Sequence, residues 1–357
     1  MMKRIAAYPV ALLTGGALLL TACSAETNAT EPAGLSVVAT TTQLGDFTRS
    51  VVGEIPARVT QLADVNQSLH GFDPSAGDLV AIREADVIVV NGGGLDGWIE
   101  DAIEASGFDG VIVNTSEGID MDVSPAGAAD SHEGEAAEAE EHEATPGGED
   151  AHAGESAEEH AAHAGESGDP HVWHNVNNAV SQVEAITAAL AAAAPEQAAA
   201  IEANAAGYVD ELQALNAWIH ENVDKVPADE RLLVTSHDAF GHLVDDLGIT
   251  YVGAVIPSTN DSAEASAEQL DALIAQIKET GVKAVFAESS INSAAAETIA
   301  DETGAKVYAG DQALYGDSLG TAGSPGETYL GSQAHNVGLV LESWGVTPSE
   351  FPATLGK

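Results

Sequence analysis

The chain has 357 residues, 45% of them hydrophobic, so it is long enough for two domains that each have their own core. Acidic residues outnumber basic ones by 57 to 11, and the formal net charge is −46 at pH 7. This charge excludes nucleic acid as a partner, because phosphate binding needs clustered cations. Such acidity is typical of a solvated surface, and it would also attract cations.

The first residues have the pattern of an export signal. Two basic residues precede a short apolar run, which ends in the sequence LTAC at Cys23. We interpret residues 1–22 as a signal peptide and 23–34 as a flexible tether. Cys23 is the only cysteine, and it stands where a bacterial lipobox places the lipidated residue. The sequence therefore predicts an exported protein with a lipid anchor at Cys23; a plain signal peptide with an incidental cysteine is the alternative.

Four short apolar segments, rich in β-branched residues, predict buried strands at 35–41, 57–63, 86–92 and 110–116. Helical patterns lie between them, at 44–53, 75–85 and 95–106. Alternation of strand and helix in this order is typical of a mainly parallel sheet with helices on its faces. We therefore expect an N-terminal α/β lobe over residues 35–120.

A formal dinucleotide-binding pattern, Gly92-x-Gly94-x-x-Gly97, follows the third predicted strand, and Glu117 stands twenty residues after the last of these glycines. An exported protein meets little NAD, however, and the chain after Glu117 does not continue into another βα unit. The glycines instead predict a tight turn at which two backbone segments approach each other.

The periodic pattern stops over residues 121–168. Most of this segment consists of Glu, Ala, Gly and His, so it cannot offset its ordering entropy by burial, and we expect it to be disordered. Its carboxylates and histidines are candidates for weak binding of Zn²⁺ in shifting combinations, although a solvated spacer without a role is the alternative. The five histidines are His132, His142, His152, His160 and His163.

A long helical pattern covers about 177–222, and Pro195 within it should start a new helix or kink a continuous one. We assign residues 169–228 to a joining segment and 229–357 to a C-terminal α/β lobe. Its predicted strands lie at 231–236, 249–255, 282–289 and 305–310, with helices near 239–247, 266–280, 292–303 and 327–344. The sequence thus predicts an α/β protein with two lobes, each a mainly parallel sheet flanked by helices.

Seven histidines lie outside the acidic segment, and three of them stand where ligand-binding loops are expected. They are His70 in SLHGFDP, His171 in DPHVWHN and His237 in VTSHDAFGH. In open α/β sheets, ligands bind in the crevice beyond the carboxyl ends of the strands, and imidazole is a common ligand of transition metals. One such histidine alone is usually a hydrogen-bonded loop residue, but three together favour a metal site.

Five motifs, in order, resemble those of the metal-binding lipoproteins that supply zinc or manganese ABC importers (the cluster A-I family). DPHVWHN is similar to the family's Asp-Pro-His-x-Trp, and SLHGFDP to its His-x-Tyr-x-Pro. NGGGLDGWIE is similar to Asn-Gly-x-x-Leu-Glu-x-Trp, and TSHDAFGHL to Thr-Ser-His-x-Ala-Phe. FAESSINSAAAETIADETGAKV, followed by YGDSLG, resembles the C-terminal segment. The resemblance runs from about residue 35 to the end, apart from the acidic insertion.

The resemblance implies a metal ion in the cleft between the lobes, held by two ligands from each lobe. It also implies that a helix from about Asn177 to Asn222 is a rigid spine between the lobes. Glu288 would lie close to the ion, where it would orient a ligand or pair a nearby charge. The implied ligands are His70, His171, His237 and Asp317.

Four other histidines are not implied as ligands. His174 stands where the family usually has an apolar residue, and His242 where it usually has an aromatic one. His220 lies on the predicted spine, where a solvated side chain is expected, and no motif surrounds His335. Phe72 and Asp73 also depart from the usual residues, so hydrogen bonds around the ion should differ while every implied ligand remains.

The resemblance implies the extracytoplasmic solute-binding lipoprotein of a metal ABC importer, a monomer that passes its ion to the transmembrane permease subunit. Three neutral imidazoles and one carboxylate favour four-coordinate Zn²⁺, with little room for the water that a hydrolase needs. We therefore expect no enzymatic activity. Import of Mn²⁺ or Fe²⁺ is the first alternative. An exported zinc hydrolase and an adhesin with a structural metal are the others.

Overall fold

The structure is a computed structural model that describes residues 34–123, 168–352 and 355. Cys23 and the five histidines of the acidic segment lie outside the described residues, as do the predicted signal peptide and most of the tether. Among the helices that are described, none combines the length and the hydrophobicity needed to span a bilayer.

The N-terminal half contains a four-stranded parallel sheet, as predicted, in the order β2-β1-β3-β4. The two central strands are almost wholly buried because helices cover both faces, which explains their continuous apolar runs. The strands are β1 (Leu35–Ala39), β2 (Ala57–Gln61), β3 (Val87–Val90) and β4 (Val111–Asn114). The helices are α1 (Thr42–Val52), α2 (Ala76–Arg83) and α3 (Trp98–Ser106).

Two helices, rather than a single spine over 177–222, occupy the joining segment. They are α4 (Val176–Ala193) and α5 (Ala198–Val223), and they pack against each other, so the chain reverses direction between them. Pro195 lies in the break, because proline has no N–H for the helical ladder and clashes with the preceding turn. The second of these helices packs against α1 of the N-terminal half and against the last helix of the C-terminal half.

The C-terminal half repeats the alternation of strands and helices. Its strands form two parallel pairs, β5 with β6 and β7 with β8, and β5 lies beside β7. The strands are β5 (Leu232–His237), β6 (Thr250–Ile256), β7 (Ala284–Phe286) and β8 (Lys306–Tyr308). The helices are α6 (Gly241–Leu247), α7 (Ala267–Thr280), α8 (Ala294–Thr303) and α9 (Tyr329–Ser343).

The main hydrophobic core runs through both halves. Phe47 on α1 meets Tyr329 on α9 edge to face, with ring centroids 4.9 Å apart, and the buried Trp173 belongs to the same cluster. A smaller core fills the space between the C-terminal strands and helices α7 and α8. The shared core fixes the two sheets relative to each other, and with them the loops at the carboxyl ends of their strands.

Candidate metal centre

The structure brings together the four residues that the resemblance implies as ligands: His70, His171, His237 and Asp317. One ligand atom from each lies within 4.8 Å of those of the other three. Oδ1 of Asp317 lies 3.1 Å from Nε2 of His171 and 3.3 Å from Nε2 of His237. Nε2 of His70 lies 3.4 Å from Nε2 of His171. Residues more than 240 positions apart in the chain therefore converge on one point.

Asp169 orients His171, which precedes a short 3-10 turn at the start of α4. The ring Nδ1 lies 2.7 Å from Oδ1 of Asp169, and the backbone N–H of His171 donates to the same oxygen over 2.9 Å. The second carboxylate oxygen accepts from the backbone N–H of Gly241 at 3.0 Å. Because Nδ1 is engaged in this way, Nε2 faces the other ligands. Sequence reasoning missed this role, although the carboxylate stands two residues before the histidine in DPHVWHN.

Glu288 orients His237 in the same manner. His237 is the last residue of β5, and Glu288 follows the neighbouring strand β7. Oε1 of Glu288 lies 2.8 Å from the ring Nδ1 of His237 and accepts from its backbone N–H at 3.0 Å. Glu288 is therefore close to the implied ligands, where the resemblance places it.

His70 lies in the long loop between β2 and α2, and its neighbours hold that loop in place. The indole Nε1 of Trp98 donates to the carbonyl of Leu69 at 3.1 Å, and Phe72 packs on the same indole with ring centroids 4.5 Å apart. Ser68 donates to Asp261 of the C-terminal half over 2.6 Å. The side chain of His70 is 9% exposed, whereas that of Asp317 is fully buried. Solvent therefore reaches the centre on the His70 side.

Asp317 lies in the loop between β8 and α9, and its carboxylate faces the imidazoles. Neither carboxylate oxygen forms a regular hydrogen bond within the described part of the chain, and the same holds for Nε2 of His237. Buried polar atoms without partners are costly. A cation among these atoms would remove the cost, so the residues present fit a bound metal ion.

Mutual electrostatics shift the pKa values of the four groups. Burial opposes protonation of His171, but the carboxylates of Asp317 and Asp169 outweigh it and raise its pKa to about 9. Burial likewise opposes protonation of His237, yet Glu288 and Asp317 raise its pKa well above the usual range. Burial and then His171 lower the pKa of His70 to about 4. Despite burial, His237 and His171 hold the pKa of Asp317 well below its usual range. Without a metal, the cationic rings of His171 and His237 therefore flank the anionic carboxylate of Asp317, while the ring of His70 is neutral.

Two further histidines are buried near the centre but lie outside the cluster. His174 packs on Phe240, with ring centroids 4.4 Å apart, and neither ring nitrogen has a partner among the described residues. Burial and then His171 lower its pKa to about 3, so it is neutral. His242 donates from Nε2 to the carbonyl of Asp169 at 2.8 Å. His242 therefore supports the loop that carries His171, whereas His174 contributes packing against Phe240.

The remaining two histidines lie outside the cluster too. Nε2 of His220 lies 3.3 Å from Oδ2 of Asp246, and its side chain is 38% exposed, as expected for a solvated position. His335 donates from Nε2 to the carbonyl of Ala313 at 3.0 Å.

The glycine-rich turn after β3 supports the His171 loop. Gly92 and Gly94 have φ values of 85° and 83°, which favour glycine. A Cβ on Gly92 would lie 2.2 Å from Oδ1 of Asn114, so the atom that approaches this glycine belongs to a side chain and not, as predicted, to a second backbone segment. Asn91, which precedes the turn, donates from its side chain to the carbonyl of Pro170 at 2.9 Å.

Comparison with known proteins identifies the family. A family model described as ZnuA, zinc-uptake complex component A, periplasmic, matches residues 37–342. The chain belongs to this family. It is similar to the manganese-binding lipoprotein MntA of Halalkalibacterium halodurans, with 30% identity over 323 residues, covering 90% of this chain and 93% of that protein. It is also similar to the iron-binding protein YfeA of Yersinia pestis, with 28% identity and 92% of each chain covered.

Solved structures share the fold. The periplasmic zinc-binding protein TroA of Treponema pallidum superposes with a TM-score of 0.69 at 24% identity, covering 87% of this chain and 99% of that one. A periplasmic metal-binding protein of Candidatus Liberibacter asiaticus gives a TM-score of 0.67 at 23% identity, with 86% and 98% covered. The predicted fold class, an α/β protein of two lobes, is confirmed.

Membership of the family establishes the general role. The chain is the metal-binding component of an ABC importer, acts outside the cytoplasm and is not an enzyme. These three sequence-based predictions are therefore confirmed.

Proposed function

We propose that the chain, as a monomer, captures Zn²⁺ with His70, His171, His237 and Asp317 and delivers it to a membrane permease. The observation that carries this proposal is the donor set, three imidazole nitrogens and one carboxylate, with ligand atoms within 4.8 Å of each other. A tetrahedral zinc ion with bonds of about 2.0 Å separates its ligand atoms by about 3.3 Å. Three of the pairs in this centre are 3.1, 3.3 and 3.4 Å apart.

Import of Mn²⁺ is the second candidate. In its favour, relatives of this chain are named manganese-binding lipoproteins, including MntA of Halalkalibacterium halodurans and PsaA of Streptococcus pneumoniae. Mn²⁺ favours oxygen-rich sites of higher coordination number, however, whereas this centre offers one carboxylate and three imidazoles. The donor set of this chain therefore supports Zn²⁺.

A competition experiment tests this choice. Metal-free protein is mixed with equimolar Zn²⁺ and Mn²⁺, each present at one equivalent, and the bound metal is measured by elemental analysis after gel filtration. We expect zinc to occupy the protein almost completely. Bound manganese in excess of zinc would overturn the assignment, since the order of divalent metal affinities already favours zinc at nitrogen ligands.

The affinity for Zn²⁺ should rise with pH up to about 9. A metal-bound imidazole has lost its proton, and the carboxylates around His171 raise its pKa to about 9. Binding at pH 7 must therefore release a proton from His171 and another from His237. Calorimetry at pH 7 in two buffers of different ionisation enthalpy measures this release directly. A binding enthalpy that does not depend on the buffer would contradict it.

We propose that Cys23 carries a lipid anchor, that residues 1–22 are removed and that 23–34 tether the lobes 35–120 and 229–357 to the membrane. A lone cysteine directly after a short apolar run supports this. Cys23→Ser should release the protein from membranes in cell fractionation without changing its affinity for Zn²⁺. An unchanged membrane fraction would mean that another feature anchors the chain.

We propose that the acidic segment 121–168 collects Zn²⁺ weakly. Its five histidines and many carboxylates can bind ions in changing combinations, whereas the clustered ligands of the centre need less ordering. Deletion of residues 130–168 should leave one tight site and abolish the weak ones in calorimetry. Loss of the tight site would show that its ligands have been misassigned, and unchanged weak binding would mean that the segment is only a spacer.

A further inference from the structure

The loop that carries Asp317 is held by the opposite half of the molecule. This loop, residues 315–319, belongs to the C-terminal half and is called here the Asp317 loop. Gln43 on α1 of the N-terminal half donates from Nε2 to the carbonyl of Asp317 at 3.1 Å. It also lies 3.4 Å from the carbonyl of Gly316. Both bonds are buried, so water does not compete for them.

Thr42, the neighbour of Gln43, completes this contact. The backbone N–H of Leu319 donates to Oγ1 of Thr42 at 2.9 Å, and the hydroxyl of Thr42 donates to Oε1 of Gln43 at 2.9 Å. The amide of Gln43 is thereby oriented with its oxygen toward Thr42 and its nitrogen toward the Asp317 loop. Thr42 and Gln43, the α1 clamp, thus hold the backbone on both sides of the Asp317 carboxylate.

The residues of the α1 clamp are themselves held in place by the N-terminal half. Thr41 caps α1, accepting from the backbone N–H of Leu44, and Thr42 and Gln43 form the first turn and are 1% and 2% exposed. Asn66 adds a bond from the same half, since its N–H donates to Oγ of Ser318 at 2.8 Å. Asn66 has a φ of 62°, alone among the non-glycine residues that the structure describes. Strained backbone of this kind concentrates at functional sites.

We propose that the α1 clamp positions Asp317 as a metal ligand, so that the fourth ligand is in place only while the two halves are together. This proposal rests on the proposed ligand set. Gln43 and Thr42 touch the backbone around Asp317 and not the ion, so they are positioning residues. Parting of the halves would free the Asp317 loop from α1 and withdraw its carboxylate from the imidazoles. Release of the ion and opening of the clamp are then the same event.

The test compares neutral variants that keep the shape of the side chain. Thr42→Val removes the bond from Leu319, and Gln43→Met removes the bonds to the carbonyls of Gly316 and Asp317. We expect each variant to weaken Zn²⁺ binding by about 10-fold, mainly through faster release. Thr42→Ser keeps the hydroxyl and should bind as the parent does. Thr48→Val is the matched control, because Thr48 is buried on the same helix and its hydroxyl has no partner among the described residues. Affinity is measured by chelator competition, and release by stopped-flow mixing with excess chelator.

A double-mutant cycle separates positioning from general stability. If the clamp acts through Asp317, Gln43→Met should have no further effect on affinity when Asp317 is already alanine. Two results would overturn the proposal. In the first, Gln43→Met lowers Zn²⁺ affinity as much in the Asp317→Ala background as in the parent. In the second, Asp317→Ala weakens Zn²⁺ binding but neither Thr42→Val nor Gln43→Met does. Full Zn²⁺ affinity in Asp317→Ala itself would instead refute the ligand set, and the clamp with it. Melting temperatures of the metal-free variants report whether they fold.

Discussion

Replacement of His237 by alanine should weaken Zn²⁺ binding by more than about 100-fold, since loss of a carboxylate that merely orients a ligand already costs about 10 to 100-fold. His237 is fully buried, and its ring nitrogen Nε2 lies 3.3 Å from Oδ1 of Asp317. No other imidazole in the described part of the chain is placed to replace it, because His174 packs against Phe240 and the ring of His242 is bonded to Asp169. The measurement is a competition titration of metal-free protein against a chelator of known affinity.

Two histidine variants serve as controls for this result. His335→Ala removes a hydrogen bond to the carbonyl of Ala313, outside the cluster, and should leave Zn²⁺ affinity nearly unchanged. His174→Ala removes a buried ring whose nitrogens have no partner in the residues that the structure describes. It should therefore lower the stability of the fold and leave the affinity for Zn²⁺ nearly unchanged. Equal Zn²⁺ binding by the parent and His237→Ala would defeat the proposed zinc centre.

The preference of this centre for Zn²⁺ over Mn²⁺ should fall when one imidazole ligand is replaced by a carboxylate. His237→Glu would give two nitrogens and two carboxylates, a set better suited to Mn²⁺. Its affinity for Zn²⁺ relative to Mn²⁺ should therefore fall, and the equimolar competition measures this ratio. This variant distinguishes a specific effect of the imidazole from a general loss of the site.

The alternation of strands and helices could be predicted from the sequence because burial leaves a strong pattern. Residues 87–90, VIVV, form a central strand of the parallel sheet, and all four side chains are buried. Such a strand is covered on both faces, so its sequence is continuously apolar. The histidines in SLHGFDP and VTSHDAFGH could likewise be located because parallel strands bring their carboxyl ends to one edge. Asp317, by contrast, came only from the resemblance, since nothing in YGDSLG distinguishes a ligand from a turn residue.

The features that the sequence did not predict depend on long-range contacts. The reversal between α4 and α5 does not follow from the sequence because Pro195 can either kink a helix or end it, and packing between the helices decides. Asp169 belongs to a recognisable motif, but its role in orienting His171 depends on the side-chain conformation of that histidine, which the sequence does not specify. The clamp on Asp317 joins residues more than 270 positions apart, which no local pattern reveals.

Replacement of Asp169 by alanine should give the second-largest loss, a fall in Zn²⁺ affinity of about 10 to 100-fold, the usual effect of losing such a partner. The carboxylate holds both the ring and the backbone N–H of His171, at 2.7 and 2.9 Å, and also binds Gly241 at 3.0 Å. Without it the imidazole can rotate, so Nε2 no longer faces the other ligands. Combined with His171→Ala, the replacement should have almost no further effect, because the ligand that it orients is already absent.

The size of this loss should depend on pH, because Asp169 has two opposing effects. It orients His171, which favours the metal, but together with Asp317 it also raises the pKa of His171 to about 9, which favours the competing proton. Removing Asp169 lowers that pKa and eases deprotonation at pH 7, partly offsetting the lost orientation. At pH 9 the proton competes little, so the orientation effect is seen almost alone. The ratio of parent to Asp169→Ala affinity should therefore be larger at pH 9 than at pH 7, and the opposite trend would show that Asp169 acts mainly through charge.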